Sequence, residues 1–210
     1  MRKEKLGILC SGRGSNLASI IKAVERGDIP AEIAVVIADK ADAYALKRAR
    51  EKAIPAVPVI YRDYAERADF ERALLKELQA HGVTLVVLAG FMRILSPIFV
   101  HAYTGRILNI HPALLPSFPG AHAHRDALEY GVKVSGCTVH FVDEGMDSGP
   151  IIMQAAVPVL EGDTEETLAA RVLEQEHRIF PASIKLYVEG RLRTDGRKVH
   201  ILPAAEGGSL

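Results

Sequence analysis

The sequence predicts an α/β domain: a mostly parallel, twisted sheet with helices on both faces and an antiparallel portion toward the C terminus. Three features point there. Up to residue 89, short apolar runs alternate with longer amphipathic stretches, the βαβ pattern of a parallel sheet. The first apolar run passes through a glycine-rich turn straight into a helix-patterned segment. Farther on, residues 134–142 and 151–159 read as two successive strands with only a turn-rich stretch between them, which suits antiparallel pairing.

Residues 6–10 (LGILC) form an apolar run, the mark of a strand buried on both faces. Residues 16–26 place Leu17, Ile20, Ile21 and Val24 on one helical face. Residues 33–38 (IAVVIA) are a second buried strand, and 44–52 a second helix that ends before Ile54-Pro55. Residues 56–60 are a third strand, assigned to the sheet edge because Pro58 has no N–H to offer a neighbour. Residues 64–81 are a long amphipathic helix stopped by Gly82, and 85–89 (LVVLA) a fourth strand. Beyond Gly90 the pattern loosens. Residues 107–110 are a fifth strand, 112–125 a loop rich in Pro, Gly and His, and 126–130 a short helix. Residues 164–189 are a long helical region that Pro181 is expected to interrupt. No repeat, low-complexity tract or linker divides the chain. Residues 1–202 are therefore read as one domain and 203–210 as a flexible tail.

Composition narrows the function classes. Lys+Arg and Asp+Glu both total 26, so the formal net charge is zero. That argues against a broad electrostatic footprint for nucleic acid or an anionic membrane. The two cysteines, Cys10 and Cys137, lie in no CxxC or zinc spacing and read as buried free thiols of a reducing compartment. The apolar stretch behind the charged N-terminal residues is too short for a signal-peptide core, and no run approaches the roughly 20 apolar residues of a membrane span. The expectation is a cytoplasmic enzyme or binding protein with small-molecule partners and no nucleic acid or membrane partner. A homodimer is left open.

The turn Cys10-Ser-Gly-Arg-Gly-Ser-Asn16 joins the first strand to the first helix. Gly12 and Gly14 permit a tight turn and close approach of a ligand to the backbone. The following helix offers unpaired N–H groups and the positive end of its dipole, a site suited to phosphate. The full G-x-G-x-x-G fingerprint is absent, Asp39 is a weak candidate for a ribose-binding acid, and no Walker lysine follows. A single terminal phosphate fits better than a pyrophosphate. The alternative is a plain strand-to-helix turn with Ser15 as N-cap.

In Leu108-Asn-Ile-His-Pro112, Asn109 and His111 are two residues apart in a strand and share a face. They stand where a parallel strand ends, the usual ligand position of open α/β sheets. Asn109 offers an amide donor to a carbonyl oxygen, and His111 a ring suited to proton transfer near neutrality. Met146-Asp-Ser-Gly-Pro150 supplies a carboxylate, Asp147, which beside a histidine favours the imidazolium. Together the three could hold a tetrahedral oxyanion and shuttle a proton off an attacking amine. Spacing alone leaves His111 readable as a core histidine and Asp147 as a turn former, and does not bring Asp147 to the other two. His122, His124 and His140 raise a metal-hydrolase reading, but an irregular loop without HExxH or an i,i+4 histidine pair argues for no metal.

Six stretches in this order carry a family likeness: SGRGSNL (11–17), DKADAYALKRA (39–49), LAGFMRILSP (88–97), ILNIHPALLPSFPGAHAHRDAL (107–128), HFVDEGMDSGPII (140–152) and RVLEQEH (171–177). They resemble the folate-dependent formyltransferases. The Gly-Ser-Asn turn and Gln175-Glu176-His177 resemble the branch that acts on glycinamide ribonucleotide in purine synthesis. The resemblance implies a Rossmann-like formyltransferase fold, 10-formyltetrahydrofolate as formyl-donor co-substrate and no metal. It implies Asn109, His111 and Asp147 as catalytic residues, with Gly14, Ser15 and Asn16 on the phosphate and Glu176 on the ribose. For the folate it implies Met92, Arg93, Ile94, Leu95 and Asn109, the loop Asp143, Glu144, Gly145 and Met146, and Arg67 at the benzoyl-glutamate end. It also implies a cis Leu115-Pro116 bond. Leu173 departs from the pattern, standing where relatives often carry a polar ribose contact. Sibling branches add a tRNA or a regulatory domain, which this chain is expected to lack. The alternatives are a sibling formyl-folate enzyme, with another amine acceptor or as a hydrolase, and a non-catalytic nucleotide-binding module.

Overall fold

The computed structural model describes residues 3–204, so most of the expected tail, residues 205–210, lies outside the described residues. The N-terminal half alternates strand and helix: β1 (Glu4–Cys10), α1 (Ser15–Glu25), β2 (Ala31–Ala38), α2 (Tyr44–Glu51), β3 (Ala56–Pro58), α3 (Arg67–Ala80) and β4 (Leu85–Leu88). Then come α4 (Pro97–Ala102), β5 (Ile107–His111), α5 (Ala123–Tyr130), β6 (Val134–Phe141), β7 (Ile151–Pro158), α6 (Glu165–Val188), β8 (Leu192–Asp195) and β9 (Lys198–Ile201). Among the described residues they build one sheet in the order β3-β2-β1-β4-β5-β6-β7-β9-β8. The first five positions are parallel, and β5, β6 and β7 pair antiparallel, as the sequence predicts.

The strands are apolar because both faces are covered. Leu6, Ile8, Val36, Leu108 and Ile110 pack with α1 and α6 through Leu17, Ile20 and Phe180. Leu9, Val35, Ile37 and Val86 pack with α3 and α4 through Phe70, Leu74 and Phe99. β3 lies at the edge, where the missing N–H of Pro58 costs no ladder bond.

Several elements differ from expectation, among them α5, which begins at Ala123 rather than Asp126. α3 begins at Arg67 rather than Tyr64, because Tyr61–Asp63 is a 3-10 turn and the rings of Tyr61 and Tyr64 fold edge-on over Phe70. α4 was not expected, although Ser96 accepts from the Phe99 N–H as N-cap and Pro97 fills the first helical position. α6 runs through Pro181 unbroken. Burial of Ile179, Phe180 and Ile184 around it outweighs the one lost backbone bond. The hairpin β8–β9 turns at Gly196-Arg197 and lays β9 against β7. No helix among the described residues is long and apolar enough to cross a membrane.

Candidate active site

The parallel order reverses at β1, which has β2 on one side and β4 on the other. A crevice opens there at the carboxyl ends of the strands. It is a cleft of 320 Å³ lined by the turn after β1, by Ala89, Gly90 and Met92 after β4, and by Lys40 after β2. The turn ends in Gly14, at φ 68° and ψ 39°, as N-cap of α1. A Cβ on Gly14 would be left-handed and would meet the Ala45 Cβ at 2.8 Å, so both backbone and space require glycine. Ser15 is therefore the first helical residue, not the N-cap. No side chain caps α1 and its first turn carries no acid, so its N–H groups and dipole face the cleft uncompensated. Asn16 is buried and its Nδ2 donates to Glu176 Oε2 at 2.8 Å. The expected phosphate and ribose residues thus meet across α1 and α6. Burial pushes the Glu176 carboxyl above the usual range, and the Asn16 bond partly offsets it.

β5 presents Asn109 and His111 on one face, and the antiparallel register sets His140 opposite Asn109 and Thr138 opposite His111. His140 Nδ1 lies 2.8 Å from the Phe141 carbonyl and donates to it. Burial holds His140 below the ordinary histidine range, against the Phe141 carbonyl and Asp147, so the ring is neutral and Nε2 is an acceptor. Asn109 Nδ2, 3.1 Å away, donates to it. The neutral histidine thereby fixes the Asn109 amide and leaves one N–H free. His111 Nε2 donates to the Phe118 carbonyl at 2.8 Å, and its Nδ1 is 3.4 Å from Asp147 Oδ2. Both ring nitrogens thus face oxygen atoms, the Phe118 carbonyl on one side and the Asp147 carboxylate on the other.

Asp147 comes from the loop between β6 and β7 and sits at φ 50°. The Gly120 N–H, 2.8 Å from Oδ2, holds it there. Gly149 lies so close to the Phe141 carbonyl that a Cβ would overlap it, which packs the loop back onto β6. Thr138 donates to the Ala113 carbonyl at 2.6 Å and accepts from the Leu115 N–H, while Gln154 donates to Thr138 and to the Leu115 carbonyl. These bonds seat the segment that carries Phe118 and Gly120, in which Leu115-Pro116 is cis.

β4 ends with Leu88 beside Asn109, so the strap of residues 91–96 leaves the sheet next to the Asn–His pair. Its side chains alternate. Phe91 and Leu95 enter the core, whereas Met92 and Ile94 stand 72% and 59% exposed. Leu95 can therefore offer a ligand only its backbone. Arg93 donates from Nε to Asp39 Oδ2 at 2.7 Å, and Arg67 from Nε to Glu71 Oε1 at 3.0 Å. Asp143 accepts from the Gly145 N–H and the Ser148 hydroxyl, Glu144 pairs with His101, and Met146 is exposed. Leu173 is half-buried on α6, one residue beyond the buried Val172. His122 is exposed, and burial holds His124 below the ordinary histidine range. Among the described residues no group of three or more His, Cys, Asp or Glu is arranged to hold a metal ion. Cys10 and Cys137 are buried and unpaired, their thiols pushed up to about 12 chiefly by desolvation.

The sequence profile of the family described as Formyl transferase matches residues 4–184. The chain belongs to the formyl transferase family. It is 48% identical over 186 residues to phosphoribosylglycinamide formyltransferase of Escherichia coli (strain K12), covering 89% of this chain and 88% of that one. It is 48% identical over 191 residues to the trifunctional purine biosynthetic protein adenosine-3 of Gallus gallus, covering 91% of this chain but only 19% of that much longer protein. The crystal structure of glycinamide ribonucleotide transformylase 1 from Symbiobacterium toebii superposes with a TM-score of 0.94 at 54% identity, over 96% of this chain and 95% of that one.

Within this formyl transferase fold, four polar residues take places at the site that the sequence reading did not give them, Asp39 having been weighed only as a weak ribose-binding acid and His140 only as a metal ligand. His140 and Thr138 are visible only once β6 is paired antiparallel with β5 in its actual register; the alternation Thr138-x-His140 in an apolar strand was the available signal. Lys40 and Asp39 follow β2 directly, and their place at a strand end was the signal for them.

Proposed function

We propose that the chain transfers the formyl group of 10-formyltetrahydrofolate to the glycyl amine of glycinamide ribonucleotide, with both substrates held on one domain spanning residues 1–202. The observation that carries this reading is the meeting of Asn109, His111 and Asp147, with His111 Nδ1 3.4 Å from Asp147 Oδ2, in a fold that also exposes an uncapped helix N-terminus to a cleft. The names of the Escherichia coli and Symbiobacterium toebii relatives support it.

The ribonucleotide phosphate takes the N–H groups of Gly14, Ser15 and Asn16, with Lys40 as counter-charge and Glu176 for the ribose. The folate pteridine lies against the strap at Met92, Arg93, Ile94 and Leu95 and the loop from Asp143 to Met146. Arg67, bonded through Nε to Glu71 with its side chain 44% exposed, takes the benzoyl-glutamate end. The amine lone pair attacks the formyl carbon, a C–N bond forms, and the carbonyl π pair moves onto oxygen. The free N–H of Asn109 and the charge of His111 stabilise that oxyanion. Asp147 keeps the imidazolium charged, and its Oδ1, which faces the neutral His140 at 3.8 Å, receives the amine proton through water. The oxyanion then re-forms the carbonyl, the bond to the folate N10 breaks, and N10 takes up the proton that Asp147 returns through water, which restores the carboxylate. Holding both substrates in line and presenting fixed dipoles supply the acceleration.

The test follows tetrahydrofolate release with and without glycinamide ribonucleotide. Release that requires the ribonucleotide, with formylated product in equal amount, supports transfer. Release without it would establish a hydrolase, and no release in either case a binding module.

A further inference from the structure

We propose that Asp39 is a positioning residue for the folate side of the reaction, acting through Arg93 on the strap of residues 91–95. The inference rests on reading that strap as the folate pocket.

Asp39 follows β2 and is 2% exposed. A carboxylate so buried needs a charged partner, and it finds one 54 residues away, where Arg93 Nε donates to Oδ2 at 2.7 Å. The Arg93 guanidinium lies 4.0 Å from the centre of the Tyr61 ring. Tyr61 in turn donates its backbone N–H to the Asp39 carbonyl at 3.2 Å. Carboxylate, ring and strand end thus form one rigid seat for a single side chain. With its Nε bonded and its face stacked, Arg93 is committed to the protein. What the strap can show a ligand is its backbone with Met92 and Ile94.

The strap is held at two other places by neutral or terminal contacts. Met92 N–H donates to the Ser11 hydroxyl at 2.9 Å, and Ser96 binds Glu71 through both its N–H and its hydroxyl. Between these, besides the burial of Leu95 in the core, the side-chain pin among the described residues is the charge pair. Asp39 Oδ1 has no partner among the described residues, so the carboxylate is poorly satisfied as a purely structural group. Apolar residues could fill the same space at equal or better stability. What the pair supplies is a fixed position for the backbone between Met92 and Leu95.

The experiment compares Asp39→Asn, Arg93→Met, the double variant and Ile94→Ala, measuring kcat, the KM of each substrate and the melting temperature. In Asp39→Asn and in Arg93→Met, the KM for 10-formyltetrahydrofolate rises about tenfold. The KM for the ribonucleotide and kcat stay near the parent values, and the double variant is no worse than either single one. A lowered melting temperature with the folate KM unchanged in Asp39→Asn, while Ile94→Ala raises it, overturns the proposal and leaves the folate strap standing. An unchanged folate KM in Ile94→Ala removes the strap reading and the proposal with it. If Asp39→Asn fails to fold, Tyr61→Leu, which removes the ring 4.0 Å from the Arg93 guanidinium and lies outside the folate-contacting residues, gives the same readout.

Discussion

Replacing Asp147 by Asn removes one charge and keeps nearly all else. Asparagine is, with glycine and aspartate, among the residues that best tolerate the φ of 50° found there, and its amide oxygen can still accept from the Gly120 N–H. What is lost is the attraction between the carboxylate and the His111 ring, 3.4 Å apart. At an effective dielectric of about 20 that attraction is about 5 kcal/mol, and in bulk water about 1 kcal/mol. With 16% of the Asp147 side chain and 5% of His111 exposed, the site lies between these limits. About 3 kcal/mol of imidazolium stabilisation is then missing from the oxyanion step, a fall in turnover of about a hundredfold. The phosphate turn and the strap are untouched, so both substrates bind as before. Single-turnover stopped flow of tetrahydrofolate formation, with equilibrium binding of each substrate alongside, measures both quantities. Turnover within about threefold of the parent enzyme, or a loss confined to binding, would refute the reasoning.

Three further outcomes are expected. Gly14→Ala forces a left-handed alanine whose Cβ meets that of Ala45 at 2.8 Å; it costs about 1–2 kcal/mol of unfolding free energy, read from urea denaturation, and raises the ribonucleotide KM, not the folate KM. Because burial lowers the affinity of His140 for a proton in the fold, its share of stability is present above the unfolded value of about 6.5 and is lost as pH falls through the lower folded value. Turnover falls on the same limb, since an Nε2–H would confront the Asn109 amide. His140→Gln should lose less stability than the parent between about pH 7.5 and 5.5, and equal losses would contradict this. Exhaustive chelation should leave turnover unchanged, and a loss restored by zinc would replace the mechanism.

The strands were legible because their signal is local. LGILC, IAVVIA and LVVL are apolar throughout, and a segment covered on both faces cannot be otherwise. Pro58 marked the edge for the same local reason. The elements that escaped have signals dominated by context. Pro181 lowers helix propensity, yet its neighbours' burial keeps α6 whole. The β8–β9 strands are largely exposed and carry little apolar pattern on either side of their Gly196-Arg197 turn. The phosphate turn was legible as an anion site, but not that the Asn16 side chain would turn to Glu176, 160 residues away.

By itself, then, the sequence determined that Asn109 and His111 share a face at a strand end, because the pleat has a period of two. It also determined a glycine turn before a helix with no acid in its first turn. Only the tertiary structure decided that Asp147 reaches His111, since that depends on a left-handed backbone held by Gly120 from a different loop. The same holds for His140, which orients Asn109 only through the register of β6 on β5, and for Asp39, which meets Arg93 only because β2 and β4 flank β1. Local patterns follow from bonded neighbours and solvent. Which side chains meet across loops follows from chain topology and register, which no single segment encodes.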